Sequence, residues 1–230
     1  MTWFEALFRP RSIAVVGSVS EGKIGRVLVD QLIAGGFAEI VVVNPKGEGT
    51  DDIRALRSLG ERPAGDLPVD LVVIASPAAT VAGVLEDAGR AGARVAVILT
   101  AGFAEVGKGK EERALLEVAR RFDLRLVGPN CAGIVNTKHR LFPTLETRPP
   151  AGDVAFVSQS GALGGAVLSW AEEQGVGFSK FASYGNGADL TDVDFLDALR
   201  TGERPMIDAE AGFANVRTAQ RIVDAIRRTM

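Results

Sequence analysis

Five short, almost wholly apolar runs recur along the first half of the chain: SIAVV (12–16), EIVVV (39–43), DLVVIA (70–75), RVAVIL (94–99) and LRLV (124–127). None alternates apolar with polar residues, so each reads as a strand covered on both faces, the condition of a buried parallel sheet. Parallel neighbours require a crossover, and helical patterns lie between the runs. Ile24, Val27, Leu28 and Leu32 recur at helical spacing and stop at Gly35-Gly36. Val81, Val84, Leu85 and Ala88 repeat the pattern before Gly89 and Gly92, and Leu115, Leu116, Ala119 and Phe122 form a third crossover helix.

This alternation predicts an α/β protein whose residues 1–145 form a Rossmann-like doubly wound parallel sheet. The stretch FPTLETRPPAGD (142–153) carries three prolines and no apolar period, and reads as a linker. Residues 146–230 then predict a partial flavodoxin-like α/β domain. It comprises strand DVAFV (153–157), turn SQSG (158–161), a helix to about Gln174, strand GFSKFAS (177–183) and a short helix DFLDAL capped by Thr191 or Asp192. The tail from Thr201 carries Phe213, Val216, Ala219, Val223 and Ile226 on one helical stripe. Two strands make a marginal sheet with open edges, so the missing strands are expected from another chain, or the last helix is expected to cover the gap.

Composition narrows the function classes. A net charge of -3 leaves no general attraction for nucleic acid or an anionic membrane. The start MTWFEALFRPRS has no leader pattern and no apolar run is long enough to span a bilayer, so a cytoplasmic location is expected. One cysteine, Cys131, makes no internal disulfide, and one histidine, His139, does not anchor zinc; no metal site is predicted. Twenty-seven glycines are the outlier, and most fall at predicted strand ends, where main chain can meet a ligand.

Ligands of open parallel sheets sit at the carboxyl ends of the strands. Five loops converge there: Gly17 to Gly25, Asn44-Pro45-Lys46, Ser76-Pro77, Thr100 to Phe103, and Gly128 to Cys131. The first nearly spells a P-loop, but Ile24 follows Lys23 where Ser or Thr would hold magnesium, so ATP hydrolysis at this turn is disfavoured. The dinucleotide fingerprint also fails. Val19 replaces its second glycine, and the second strand ends in Asn44-Pro45-Lys46 with no acidic residue for the ribose. Lys46 suits a phosphate on the adenosine ribose, which leaves NADP or coenzyme A. A structural turn at Gly17 and a solvated Lys46 are the plain alternatives for each piece taken singly.

The segments RPRSIAVVGS with GKIG, VVNPK, VIASPA, ILTAGFAEVG, GPNCAGIVNT and GDVAFVSQSGALGGAVLSWAEEQGVGFSKFASYGNGADLTDVDFLDAL run in order over residues 9 to about 199. As a set they resemble the CoA-binding (α) subunit of the NDP-forming acyl-CoA synthetases, the superfamily of succinyl-CoA ligase and ADP-forming acetyl-CoA synthetase, truncated in its ligase-like domain. The resemblance implies that Gly17, Ser18, Lys23, Ile24, Gly25, Asn44, Pro45 and Lys46 meet the nucleotide part of coenzyme A. Ser76, Pro77, Gly102, Phe103, Asn130 and Cys131 would border its pantetheine arm or thiol. Ser158, Ser160, Gly161 and Ala162 would cradle the phosphate of a phosphohistidine relay.

That histidine belongs, in the family, to a loop beyond DFLDAL, and the segment after Thr201 is not placed in the family pattern. His139 lies before the linker and reads as a polar surface residue, and Cys131 as a partly buried structural thiol. No catalytic residue is therefore assigned. The resemblance implies a CoA or acyl-CoA binder, inactive alone, that joins a nucleotide-grasp partner subunit in a homo- or hetero-oligomer. Two other readings stand beside it: an NADP-dependent oxidoreductase, motivated by Lys46 but lacking a Tyr-x-x-x-Lys pair since Tyr184 is the one tyrosine, and a non-catalytic CoA-sensing module.

Overall fold

Strands β1 (Ile13–Val16), β2 (Ile40–Val43), β3 (Ala55–Leu56), β4 (Leu71–Ile74), β5 (Val95–Ile98) and β6 (Arg125–Val127) form one sheet in the order β3-β2-β1-β4-β5-β6. The computed structural model describes residues 1–50, 53–63 and 65–200. Every pairing in this sheet is parallel, with Ile13 opposite both Ile40 and Leu71. Each of the five apolar runs contains a strand. The sixth strand, β3, is an addition. Two residues between Arg54 and Arg57 carry no readable period, and their backbone pairing with Val42 and Val43 makes the strand.

Successive residues point to opposite faces, and both faces are dry. Ile13, Val15, Leu71, Val73, Val95 and Val97 pack with Leu28, Val29 and Leu32 of α2 (Ile24–Gly35). Ala14, Val16, Val72, Ile74, Ala96 and Ile98 pack instead with Val81 and Leu85 of α3 (Ala78–Arg90) and Leu115 and Ala119 of α4 (Gly109–Arg121). The α2 stripe departs from expectation. Ile24 and Val27 are 46% and 42% exposed, and Gly25, Val29 and Gly35 take the buried positions. Small residues let the helix approach the backbone beneath it, which spacing of large apolar residues alone does not reveal.

The second sheet has three strands, not two, in the order β7-β9-β8. Strand β8 (Ala151–Ser158) runs parallel to β9 (Phe178–Ser183), and β7 (Ile134–Asn136) joins antiparallel on the other side. The third strand is thus an earlier part of this same chain. The stretch read as a linker is built in as well: Thr144 is fully buried, and its hydroxyl donates to the Ala132 carbonyl at 2.9 Å. Three residues and nearby prolines gave β7 too little pattern to register. Helix α5 (Gly161–Gln174) covers Phe178 and Phe181 with Leu168 and Ala171. The tail stripe of Phe213 to Ile226 lies outside the described residues.

Helix α1 (Trp3–Phe8), not anticipated, opens with a capping box between Thr2 and Glu5. Trp3 and Phe8 meet Phe195 of α6 (Asp192–Arg200) with ring centroids 5.6 and 6.3 Å apart. At the start of α6 the Thr191 N–H donates to the Asp194 carboxylate at 2.9 Å. Among the described residues no helix is long and apolar enough to cross a membrane.

Candidate functional site

The chain diverges to β2 and β3 on one side of β1 and to β4, β5 and β6 on the other, which opens a crevice between the carboxyl ends of β1 and β4. A hollow of about 630 Å³ lies there, lined by Gly17, Ser18, Asn44, Pro45, Lys46, Ser76 and Pro77 together with Arg57, Thr80 and Asp87. Gly17 shapes its rim and Gly25 packs behind the same turn. Gly17 has φ +152°, and a Cβ there would stand 2.8 Å from the Ala75 carbonyl oxygen; a Cβ on Gly25 would stand 2.5 Å from the Ser18 carbonyl oxygen. Only main chain without side chain lets the turn lie flat between strand and helix.

Helix α2 begins after Lys23 and α3 after Pro77, and neither receives a side-chain cap. First-turn N–H groups without such a cap are available to an anion. The Thr80 hydroxyl is 2.9 Å from Ser76 Oγ and donates to the Pro77 carbonyl at 2.7 Å, which folds the Ser76-Pro77 turn onto α3. Two cations border the hollow. Lys46 is 75% exposed at its side chain, with Nζ 3.7 Å from Glu48 Oε1. Arg57 follows β3, and sequence reasoning missed it because β3 itself carried no signal. Asn44 is 6% exposed and turned inward. Its Oδ1 accepts from the Lys46 and Glu48 N–H groups, and its Nδ2 donates to the Glu48 carbonyl at 2.7 Å, so its side chain holds the loop.

The other candidate residues lie outside this lining. Lys23 and Ile24 are exposed at the start of α2, and Gly25 is buried behind the turn. Phe103 is 2% exposed and belongs to the core on the α3–α4 face. Cys131 is buried, with Sγ 3.3 Å from the Ile98 carbonyl, and burial pushes its thiol up to about 12, so it holds no thiolate at neutral pH. Asn130 Nδ2 donates to Asn186 Oδ1 at 3.3 Å.

At the SQSG turn the hydroxyls serve the turn itself. Ser158 Oγ donates to the Ser160 carbonyl at 2.9 Å, and Ser160 Oγ caps α5 by accepting from the Leu163 N–H at 3.2 Å. Gly161 and Ala162 therefore present main chain at the helix start. Gly161 is backed by Ala132, whose Cβ would be 3.0 Å from a Cβ added at Gly161. His139 is remote from this turn. It lies just beyond β7, and the pairing of Asn136 with Lys180 places that end of the sheet by the start of β9, whereas Ser158 pairs with Ser183 at the finish. Burial first, and then the charges of Arg9 and Lys180, lower its pKa. Among the described residues no group of three or more His, Cys, Asp or Glu is placed to hold a metal.

A doubly wound sheet with an anion-suited crevice at its switch point defines a protein of the nucleotide-binding α/β class. The chain belongs to the CoA binding domain family, whose model matches residues 11–137. The model of the succinyl-CoA ligase like flavodoxin domain matches residues 151–229, and so takes in the tail that the sequence reading left unplaced. Similar proteins include the ADP-forming acetate–CoA ligase II subunit alpha of Pyrococcus furiosus, 40% identical over 195 residues, which are 84% of this chain and 42% of that protein. The ADP-forming 4-hydroxybutyrate–CoA ligase of Nitrosopumilus maritimus is 33% identical over 84% of this chain and 28% of its own length. Among solved structures, the dinucleotide forming acetyl-coenzyme A synthetase 1 of Ca. Korarchaeum cryptofilum, in complex with phosphate and ADP, superposes with a TM-score of 0.80. It shares 38% identity over 84% of this chain and 42% of that one. The chain thus spans less than half the length of these relatives. Membership of the CoA binding domain family makes coenzyme A its ligand, and the residues present suit one. The hollow pairs the Gly17 turn and the uncapped start of α3 for phosphate with two cations.

Proposed function

We propose that this chain is the CoA-binding component of an NDP-forming acyl-CoA synthetase, and that the crevice between β1 and β4 takes the nucleotide end of coenzyme A. The observation that carries this reading is the joint placement of the Gly17 turn, the start of α3, and the cations Lys46 and Arg57 around one hollow. Main-chain N–H groups and cations are the partners that phosphate oxygens select. The loops bearing Gly102, Phe103 and Asn130 continue along the same edge of the sheet and border the pantetheine arm. Ser158, Ser160, Gly161 and Ala162 receive a phosphoryl group through the amides at the start of α5.

The acid substrate is activated as an acyl phosphate in a phosphohistidine relay, and CoA consumes it. The one histidine, His139, stands at the far end of the second sheet from the SQSG turn, so this stretch does not supply the relay histidine. Nucleotide chemistry falls to a nucleotide-grasp partner, consistent with relatives named as alpha subunits.

Calorimetric titration of the purified chain with CoA, NADPH and ATP tests the assignment. CoA alone is expected to bind, and Lys46→Glu or Arg57→Glu each to weaken it about tenfold, the scale of one charge-assisted contact. Binding of NADPH in preference to CoA would overturn the reading. Formation of acyl-CoA from acid, ATP and CoA by this chain alone would overturn its incompetence.

A further inference from the structure

Three loops from different parts of the chain meet at one carboxamide. Asn186, in the loop between β9 and α6, donates from Nδ2 to Glu105 Oε2 at 2.6 Å and to Glu112 Oε2 at 2.7 Å, and its Oδ1 accepts from Asn130 Nδ2 at 3.3 Å. Each hydrogen of one amide thus serves a separate carboxylate. Those carboxylates in turn hold main chain: Glu105 accepts from the N–H groups of Gly102 and Phe103, and Glu112 from that of Ala104. The Asn186 N–H donates to the Pro129 carbonyl at 2.9 Å, and the adjoining Gly185 carbonyl accepts from Gln159 Nε2 at 3.0 Å. Gly185 sits at φ +54° where a Cβ would lie 2.3 Å from the carbonyl oxygens of Pro129 and Asn130, so no other residue lets the loops close this tightly. A continuous hydrogen-bonded path therefore runs from the SQSG turn, through residues 185 and 186, to the amides of residues 102–104.

The junction uses both sides of the amide, two donated hydrogens and one accepting oxygen. Two carboxylates converging on one point need a donor with at least two hydrogens between them, which the Asn186 amide supplies; a carboxylate there adds a third negative charge, and an aliphatic side chain leaves two charges facing each other with no donor between them. Gln159 belongs to the turn assigned to the phosphoryl group, and Gly102 and Phe103 to the edge assigned to the pantetheine arm. Asn186 is the link between them.

We propose that Asn186 is a positioning residue for the thiol end of coenzyme A: by fixing Glu105 and Glu112 it sets the 102–104 loop relative to the SQSG turn. This rests on the CoA reading above. The nucleotide end is held at the β1–β4 crevice, to which Asn186 makes no contact, so the two ends of the ligand respond differently to its replacement.

The test is titration of the full chain and its Asn186→Asp variant with CoA and with adenosine 3′,5′-bisphosphate, which has nucleotide phosphates and no pantetheine arm. The variant is expected to bind CoA about tenfold more weakly and the bisphosphate within twofold of the parent, with amide hydrogen exchange at Gly102, Phe103 and Ala104 at least tenfold faster. Equal loss for both ligands, or no loss for either, overturns the positioning role. Should Asn186→Asp not fold, Glu105→Gln carries the same test, because it keeps an acceptor for the loop amides while removing the one facing Asn186. A parent chain that binds neither CoA nor the bisphosphate refutes the CoA reading, whereas the exchange rates report the loop link independently of any ligand.

Discussion

Glu105 shows how one side chain sets the order of a loop. Burial on its own would raise its pKa, but the Asn186 side-chain amide and the N–H groups of Gly102, Glu105 and Phe103 outweigh burial and hold it down at about 2. The folded value lies below the ordinary value of about 4.3 for an unfolded chain. Its stabilisation is therefore complete above about pH 4.3 and is lost progressively as pH falls toward 2. Thermal unfolding at pH 7, 4 and 3 is expected to show a fall in melting temperature over the acid range that is shallower in Glu105→Gln; an identical pH slope in both proteins would contradict the assignment. The same scale explains what the sequence revealed of the site. Gly17 and Gly25 were legible because the need for a missing side chain is local and shows as a motif. Arg57 was not, since it reaches the hollow through the backbone pairing of β3. Cys131 sits in a motif that follows β6, yet its thiol turns into the core, and motif spacing says nothing about side-chain direction.

Secondary-structure elements were read where their period was long enough to count. The α5 boundary near Gln174 and the five runs of the first sheet follow directly from apolar pattern, whereas β7 is three residues long and takes its place from the exposed edge of β9. Helix α1 had a readable start in Thr2 and Glu5, but six residues are too few for a helical stripe to register. Packing between elements is specific. A Cβ on Gly164 of α5 would lie 2.5 Å from Phe181 Cζ of β9. Gly164→Ala is expected to cost about 1–3 kcal/mol by overpacking, and Phe181→Leu to relieve part of that cost in the double variant. Denaturant titration of the four proteins checks this; strict additivity would mean that helix and strand are not in contact there.

At the scale of the whole molecule, the two sheets share one core. Leu7, Val97 and Val127 of the first unit and Ile134, Ala182, Leu190 and Phe195 beyond it belong to a single buried cluster. Arg125 fastens the same junction, with Nε 2.9 Å from Asp189 Oδ2, a terminal nitrogen 3.1 Å from Asp194 Oδ1, and its guanidinium 5.7 Å from the Trp3 ring. Urea unfolding followed by circular dichroism and by tryptophan fluorescence is expected to give one coincident transition. Arg125→Met should shift it by about 1 kcal/mol, because these pairs are partly exposed, without dividing it in two. Separate midpoints for the two probes would show that the units unfold independently.

Strand β8 stands last in the second sheet, so among the described residues no strand pairs with its outer side. Protein chemistry treats such a margin as adhesive: its amides donate to, and its carbonyls accept from, any extended backbone offered in register. Light scattering that climbs steeply with concentration, and is quenched by a proline placed midway along residues 151–158, is the behaviour expected of such a margin wherever nothing shields it.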